Sequence, residues 1–261
     1  MRMKKIIIIT GASSGMGLEF ARQLSNSADE LWLIARRKER LDTICNDLLK
    51  NRCKALSIAL DIACDKGINE FEKRLKTEND FIISMLINNA GFGTYGPFTE
   101  TPLQKESAMI FLNCNTLISL CSICIPFMTK GSIIINVASL AAFLPLGNFA
   151  VYAATKSFVL SFSTALKAEI KHKGITVTSL CPGPVSTEFS NVASSGQRKN
   201  VLHGKDAKEV VAHCLKCAYK KKAFAIMTIK WKFAAFASRF VGKYFGAWYT
   251  YTFCKRPYSY D

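Results

Sequence analysis

An apolar, β-branched run, Lys5–Thr10, stops at Gly11-Ala-Ser-Ser-Gly15-Met-Gly17. Beyond it Leu18, Phe20, Ala21 and Leu24 recur at helical spacing. The opening unit is therefore strand, glycine turn, helix. Glycines in such a turn let the backbone come close to a ligand, and the free amides and dipole of the helix N-terminus suit a pyrophosphate. The spacing here is Gly-x-x-x-Gly-x-Gly, whereas the commonest dinucleotide fingerprint is Gly-x-Gly-x-x-Gly.

The alternation continues along the chain. Strands are predicted at Glu30–Ala35, Ala55–Leu60, Phe81–Ile87, Gly131–Ala138, Ile175–Leu180 and Ala223–Ile229. Between them lie helical patterns at Glu39–Lys50, Lys66–Lys76, Pro102–Ala108, Phe111–Met128, Val151–Lys171 and Asp206–Lys222, with a last one at Trp231–Tyr249. This order predicts an α/β protein, a Rossmann-type doubly wound parallel sheet of about seven strands with helices on both faces. The 261 residues suffice for one large domain. Residues 1–229 are expected to form it, with the Ser-, Gly- and Asn-rich stretch 184–206 as a lid over the substrate. Residues 230–261 are expected to form a basic, aromatic C-terminal helix and tail packed on or extending the same domain. Phe111–Met128 approaches a membrane span in apolarity, but Asn113, Asn115 and Pro126 argue for a core helix. The N-terminal apolar run is too short for a signal-peptide h-region.

Doubly wound sheets bind ligands at the C-terminal ends of their strands. Arg36 and Arg37 follow the second strand, where a site for NAD places a carboxylate; guanidinium groups suit a 2′-phosphate and predict NADP(H). Asp61, the Asn88-Asn-Ala-Gly91 run and Ser139 follow the third, fourth and fifth strands. Tyr152 and Lys156, four positions apart on a helix, share one face. An ammonium roughly 4 Å from a phenol, at an effective dielectric near 20, favours the phenolate by about 4 kcal/mol, or about 3 pKa units. Tyr152 is on that reading a general acid or base.

The glycine turn, Asn88-Asn-Ala-Gly91, Ser139 thirteen residues before Tyr152, and Tyr-x-x-x-Lys together resemble the short-chain dehydrogenase/reductase family. The resemblance runs from about Lys4 to Thr187 and takes in Asp61, Pro182-Gly183 and Thr187. It implies that Tyr152 gives a proton to a carbonyl oxygen, that Ser139 orients that carbonyl, and that Lys156 lowers the phenol's pKa and holds the nicotinamide ribose. Asn113 would complete a tetrad by holding a water of a proton relay, with Asn115 as the runner-up. Gly11, Ser13, Ser14, Gly15, Met16 and Gly17 would cradle the cofactor, with Arg36, Arg37, Asp61, Ile62, Asn88, Ala90, Gly91, Tyr152, Lys156, Pro182, Gly183, Val185 and Thr187 around it. Phe92, Ser139, Phe143, Phe149 and Tyr152 would line the substrate pocket, with Phe98, Leu144 and Leu146 nearby. Asn-Asn-Ala-Gly-Phe-Gly-x-x-Gly-Pro-Phe and Ala-Arg-Arg-x-x-x-Leu resemble the branch that holds long-chain 3-ketoacyl and 17β-hydroxysteroid reductases. The implied activity is NADPH-dependent reduction of an apolar, lipid- or steroid-like carbonyl, or oxidation of the matching alcohol. The alternative is a regulatory or membrane-associated protein that keeps the nucleotide fold without turnover. Relatives of this kind pair through helices equivalent to Phe111–Met128 and Val151–Lys171, which implies a homodimer or tetramer.

Charge adds one feature that the motifs do not contain. The net charge is +16, and residues 196–261 hold 14 basic and 3 acidic side chains. In the last helix Lys232, Arg239 and Lys243 flank a broad face of Phe233, Phe236, Phe240, Tyr244 and Trp248, which suits peripheral contact with a membrane. A nucleic-acid partner is not expected. The ten cysteines sit mostly in apolar runs, as buried thiols of a reducing, cytoplasmic compartment do. Cys121-x-x-Cys124 and Cys214-x-x-Cys217 have metal-ligand spacing but fall inside helices, so no metal is expected. His172, His203 and His213 form no ligand spacing and are expected at the surface.

Overall fold

The structure, a computed structural model, describes residues 2–50, 52–198 and 204–259. Seven strands are β1 (Lys4–Thr10), β2 (Glu30–Ala35), β3 (Ala55–Ala59), β4 (Phe81–Asn88), β5 (Ile133–Val137), β6 (Thr176–Leu180) and β7 (Phe224–Ala225). All pair in parallel, in the order β3-β2-β1-β4-β5-β6-β7. The helices are α1 (Gly15–Gln23), α2 (Lys38–Lys50), α3 (Asp65–Lys76), α4 (Leu103–Ile110), α5 (Thr116–Cys124), α6 (Ala150–Glu169), α7 (Phe189–Ala193), α8 (Ala207–Tyr219), α9 (Ile229–Ala237) and α10 (Lys243–Phe253). The strand order reverses between β1 and β4, which opens the crevice where such sheets bind ligands.

Side chains alternate across a strand, so β1 feeds two cores at once. Ile6 and Ile8 pack with Trp32, Phe71 of α3, Leu117 and Leu120 of α5 and Val159 of α6. Ile7 and Ile9 pack with Phe20 of α1, Leu41 of α2, Val210 and Cys214 of α8, and Trp231 of α9. All four isoleucines are essentially inaccessible, and each contributes about 1.5–3 kcal/mol by leaving water. That double burial explains why the strand reads as one unbroken apolar run.

Three boundaries differ from expectation. The predicted helices Pro102–Ala108 and Phe111–Met128 form one continuous helix, because no Gly or Pro interrupts them. Its middle, Phe111–Asn115, widens into a π-helical turn, and Pro126 ends it in a 3-10 turn. The stretch Leu103–Phe127 is long and apolar enough to cross a membrane by composition, yet Leu117, Leu120, Cys121 and Cys124 pack into the core beneath the sheet. β7 is two residues long rather than seven, since Thr228 already caps α9 by accepting from the Trp231 amide. The predicted Trp231–Tyr249 helix is two helices; the chain turns at 238–242, where Gly242 is a poor helix former.

Candidate active site

Gly11 and Gly15 of the β1–α1 turn have φ of +64° and +54°, a left-handed backbone that side chains disfavour. The turn fits tightly. A side chain on Gly17 would meet the Gly11 carbonyl, and one on Gly11 would meet Asn89 and Ala90. Above it lies a cavity of about 600 Å³, lined by Gly11, Ser13, Ser14, Gly15, Met16, Arg36, Arg37, Asp61, Ile62, Asn89, Ala90, Gly91 and Thr187. At one end Arg37 donates to Ser13 Oγ and Ser14 Oγ (2.9 and 2.8 Å) and pairs with Glu188. Arg40 takes the other Glu188 oxygen, and the two guanidinium groups hold that carboxyl down at about 2. A narrow glycine cradle, a helix N-terminus and a cationic end fit a dinucleotide phosphate better than a neutral metabolite.

The catalytic candidates meet beside this cavity. Ser139 begins the turn after β5; its hydroxyl accepts from the Ala141 amide at 3.1 Å and donates to the Pro182 carbonyl at 3.5 Å. Lys156, one helical turn beyond Tyr152, is buried, donates to the Val137 carbonyl at 2.8 Å, and sits 5.6 Å from the centre of the Tyr152 ring. Asn113 occupies the π-helical turn. Its Nδ2 donates to the Phe92 carbonyl and Thr155 Oγ1, and its Oδ1 accepts from the Phe92 amide. Gly91 separates Asn113 from Lys156: a side chain there would begin 2.8 Å from Asn113 Oδ1 and 3.5 Å from Lys156 Nζ.

The electrostatics overturn one expectation. Burial raises the Tyr152 phenol above its ordinary range, and the Ser139 hydroxyl close to it opposes that rise without cancelling it. Lys156 does not supply the expected depression, because its ammonium points to a backbone carbonyl and the ring face rather than to the hydroxyl. Burial also pushes Lys156 down from 10.5 to about 8, which thins its charge as pH rises past neutrality.

Residues 5–198 match the family described as short chain dehydrogenase. The chain is a short-chain dehydrogenase. It is 31% identical to a very-long-chain 3-oxoacyl-CoA reductase of Pyrenophora tritici-repentis over 71% of its length and 56% of that protein's. It is 30% identical to sulfoacetaldehyde reductase 2 of Chromohalobacter salexigens, over 75% of this chain and 79% of that one. A short-chain dehydrogenase from Sphingobium yanoikuyae in complex with NADPH superposes with a TM-score of 0.81 at 27% identity, covering 90% and 93% of the two chains. As a member of this family the chain is an oxidoreductase; the Sphingobium structure holds NADPH, and further similar folds, at 18% and 23% identity, hold NAD and NADP.

Several residues of this short-chain dehydrogenase stand elsewhere than the motifs suggest. Asn88 faces the sheet's other side, donating to Asn136 Oδ1; Asn89 borders the cavity and clamps the glycine turn through the Thr10 and Gly11 carbonyls. Strand alternation foretells this, since Asn88 shares the parity of Leu86. Gly17 and Gly183 pack rather than line: Gly183 lies under the Trp231 indole. The Pro182 carbonyl accepts from Ser139 and Leu140, and Val185 packs in the core around α8. Phe92 borders the cavity, but Phe143 turns to a groove between α6 and α9. Phe149 stacks on Tyr152, ring centres 4.1 Å apart, and so covers it. His213 is half-buried against Cys217, and His203 lies outside the described residues, as do 199–202 of the expected lid.

The C-terminal segment, expected to pack on or extend the domain, forms a strap over this end. Leu144 packs on Gly246 of α10; the Gly147 amide donates to Thr250 Oγ1 and Asn148 Nδ2 to the Tyr251 carbonyl. The Arg256 guanidinium then lies over the Phe149 and Tyr95 rings at 5.0 and 5.7 Å. Its signal in the sequence is faint, because its hydrogen-bond partners lie 103 residues away and Tyr95 farther still.

Proposed function

We propose that this chain is an NADPH-dependent reductase of apolar carbonyl compounds, working as a homo-oligomer in a reducing compartment. The observation that carries the reading is that Tyr152 and Lys156 are buried one helical turn apart with Ser139 close to the phenol, next to a cavity whose far end holds Arg36 and Arg37. The aromatic surroundings of Tyr152, formed by Tyr95, Phe149 and Phe189, favour an apolar substrate. Exposed Ile110 and Phe158, on helices that pair subunits in relatives, support the oligomer.

The glycine turn, Asp61-Ile62 and Asn89–Gly91 would hold the cofactor, and Arg36 and Arg37 its 2′-phosphate. That cofactor, when bound, supplies the hydride. The chain's own groups manage the charge that then develops on the carbonyl oxygen. Ser139 Oγ, fixed by the Ala141 amide, orients that oxygen. Tyr152 Oη, kept protonated by burial, gives its proton there. Lys156 Nζ, held near 8, is poised to return a proton at physiological pH. Asn113 locks the Gly91–Phe92 backbone beside it.

The test is NADPH oxidation with a panel of aliphatic, acyl-thioester and steroid ketones. Tyr152→Phe should abolish turnover and leave NADPH binding by fluorescence titration nearly unchanged; full activity in that variant sinks the assignment. Equal turnover with NADH and NADPH would remove the cofactor preference alone.

A further inference from the structure

α9 and α10 bury one side each and expose large aromatic side chains on the other. In α9, Trp231 and Ala235 face the core, while Ile229, Phe233 and Phe236 project outward at i, i+4 and i+7, and Phe240 continues the row. In α10, Gly246 seats against Leu144, and Tyr244, Phe245, Trp248 and Tyr249 point out. The exposures are large, 70% for Phe233, 78% for Phe240 and 84% for Tyr244. Their rings also touch one another, Phe236 with Phe240 and Phe245 with both Trp248 and Tyr249. Scattered single apolar residues need no explanation, but two rows of touching, exposed aromatic rings on successive helices mark a binding face.

The charge on that face selects the partner. Lys230, Lys232, Arg239, Lys243 and Lys255 are all exposed, and residues 210–260 contain ten Lys or Arg and no Asp or Glu. A second copy of the chain would set cation against cation. A layer of anionic headgroups over an acyl phase meets both halves of the surface: Trp, Tyr and Phe settle at the boundary while Lys and Arg neutralise headgroup charge.

We propose that α9 and α10 dock the protein on an anionic lipid bilayer, and that the strap over Tyr152 faces the bilayer when docked. The two belong together because α10 supplies both the outward aromatic row and the contacts to Gly147 and Asn148. An apolar carbonyl compound dissolved in the bilayer would then reach Phe149 and Tyr152 without crossing water. Docking stands independently of the reductase reading; only the route to Tyr152 rests on it.

The experiment is flotation of the full chain with vesicles of pure phosphatidylcholine or of equal parts phosphatidylcholine and phosphatidylglycerol. Binding is expected to the mixed vesicles, lost at about 1 M salt, where screening shortens to roughly 3 Å. Trp32 and Trp231 are buried, so a blue shift on binding reports Trp248 and should vanish in Trp248→Phe. Replacing Lys230, Lys232 and Lys243 together by Gln should weaken partitioning by about fivefold per cation, on the order of a hundredfold in all. A Phe233→Ser, Phe240→Ser, Tyr244→Ser variant should no longer float, while NADPH titration shows it folded. No flotation with the mixed vesicles at low salt overturns the proposal. So does lipid-free self-association that this aromatic variant abolishes, which assigns the face to a second copy, or tighter binding to DNA than to vesicles. Flotation needs no turnover, so an inactive protein that floats fails only the reductase reading.

Discussion

Lys156 is placed where its chemistry and its stability pull in opposite directions. Burial lowers it from 10.5 to about 8, so the native state resists the proton that the unfolded chain accepts. Its folded pKa lies below its unfolded one; between the two, the unfolded state holds more protons and stability rises with pH. The penalty is complete below about pH 8 and gone above about pH 10.5. It amounts to about 3 kcal/mol at pH 7 and less than about 1 kcal/mol at pH 10. Lys156→Met keeps the volume and removes the charge. It also leaves the Val137 carbonyl without its donor, at a cost of about 1 kcal/mol that does not depend on pH. The variant should therefore be more stable than the parent by about 2 kcal/mol at pH 7, and that advantage should disappear or reverse by pH 10. Urea unfolding at the two pH values, followed by far-ultraviolet circular dichroism, gives the comparison. Carbonyl reduction should fall at least about a hundredfold. A variant whose stability relative to the parent is the same at both pH values would refute the buried-ammonium argument, whatever its activity.

Three further outcomes are expected. Glu188→Gln should tighten NADPH by about fivefold and leave NADH nearly unchanged in fluorescence titrations, since an exposed pair worth roughly 0.5–1 kcal/mol no longer competes for Arg37; weaker NADPH binding would count against it. The Glu188 pairs should persist in mild acid, because the depressed carboxyl keeps its stabilising charge above its ordinary value of 4.5 and loses it only as pH falls toward about 2. Gly183→Ala would start a methyl group 2.4 Å from Trp231 Cε2, so α9 should loosen, seen as faster proteolysis near residue 229 with the cofactor site intact.

Local pattern carried most of the fold, because β1 to β6 and α1, α2, α3, α6 and α8 each combine a clear period with a clean stop. Where reading failed, the deciding contact was distant or the backbone departed from its period. The pairing of Tyr152 with Lys156 follows from spacing, yet the direction in which Lys156 points depends on Val137, a strand away. Arg36 and Arg37 were indistinguishable by type; only the fold shows Arg37 engaged with Ser13, Ser14 and Glu188. Phe143 and Phe149 flank the same loop and look equivalent, but residues 143–149 turn sharply at Asn148, with φ of +58°, and send the two rings to different places.

The widened turn at Phe111–Asn115 adds one residue to the helix that contains it. An i→i+5 turn holds one residue more than an α-turn, so the residues after it are offset by one in the count, about 100°, from where an unbroken α-helix would put them. Met109 ahead of it and Leu117, Leu120 and Cys124 beyond it are all buried. Removing a single residue there would let the segment close as ordinary α-helix with both flanking halves still in phase, and would cost the widening that carries Asn113. The extra residue is therefore a local device: it sets Asn113 against the Phe92 backbone and leaves the direction of the rest of the helix unchanged.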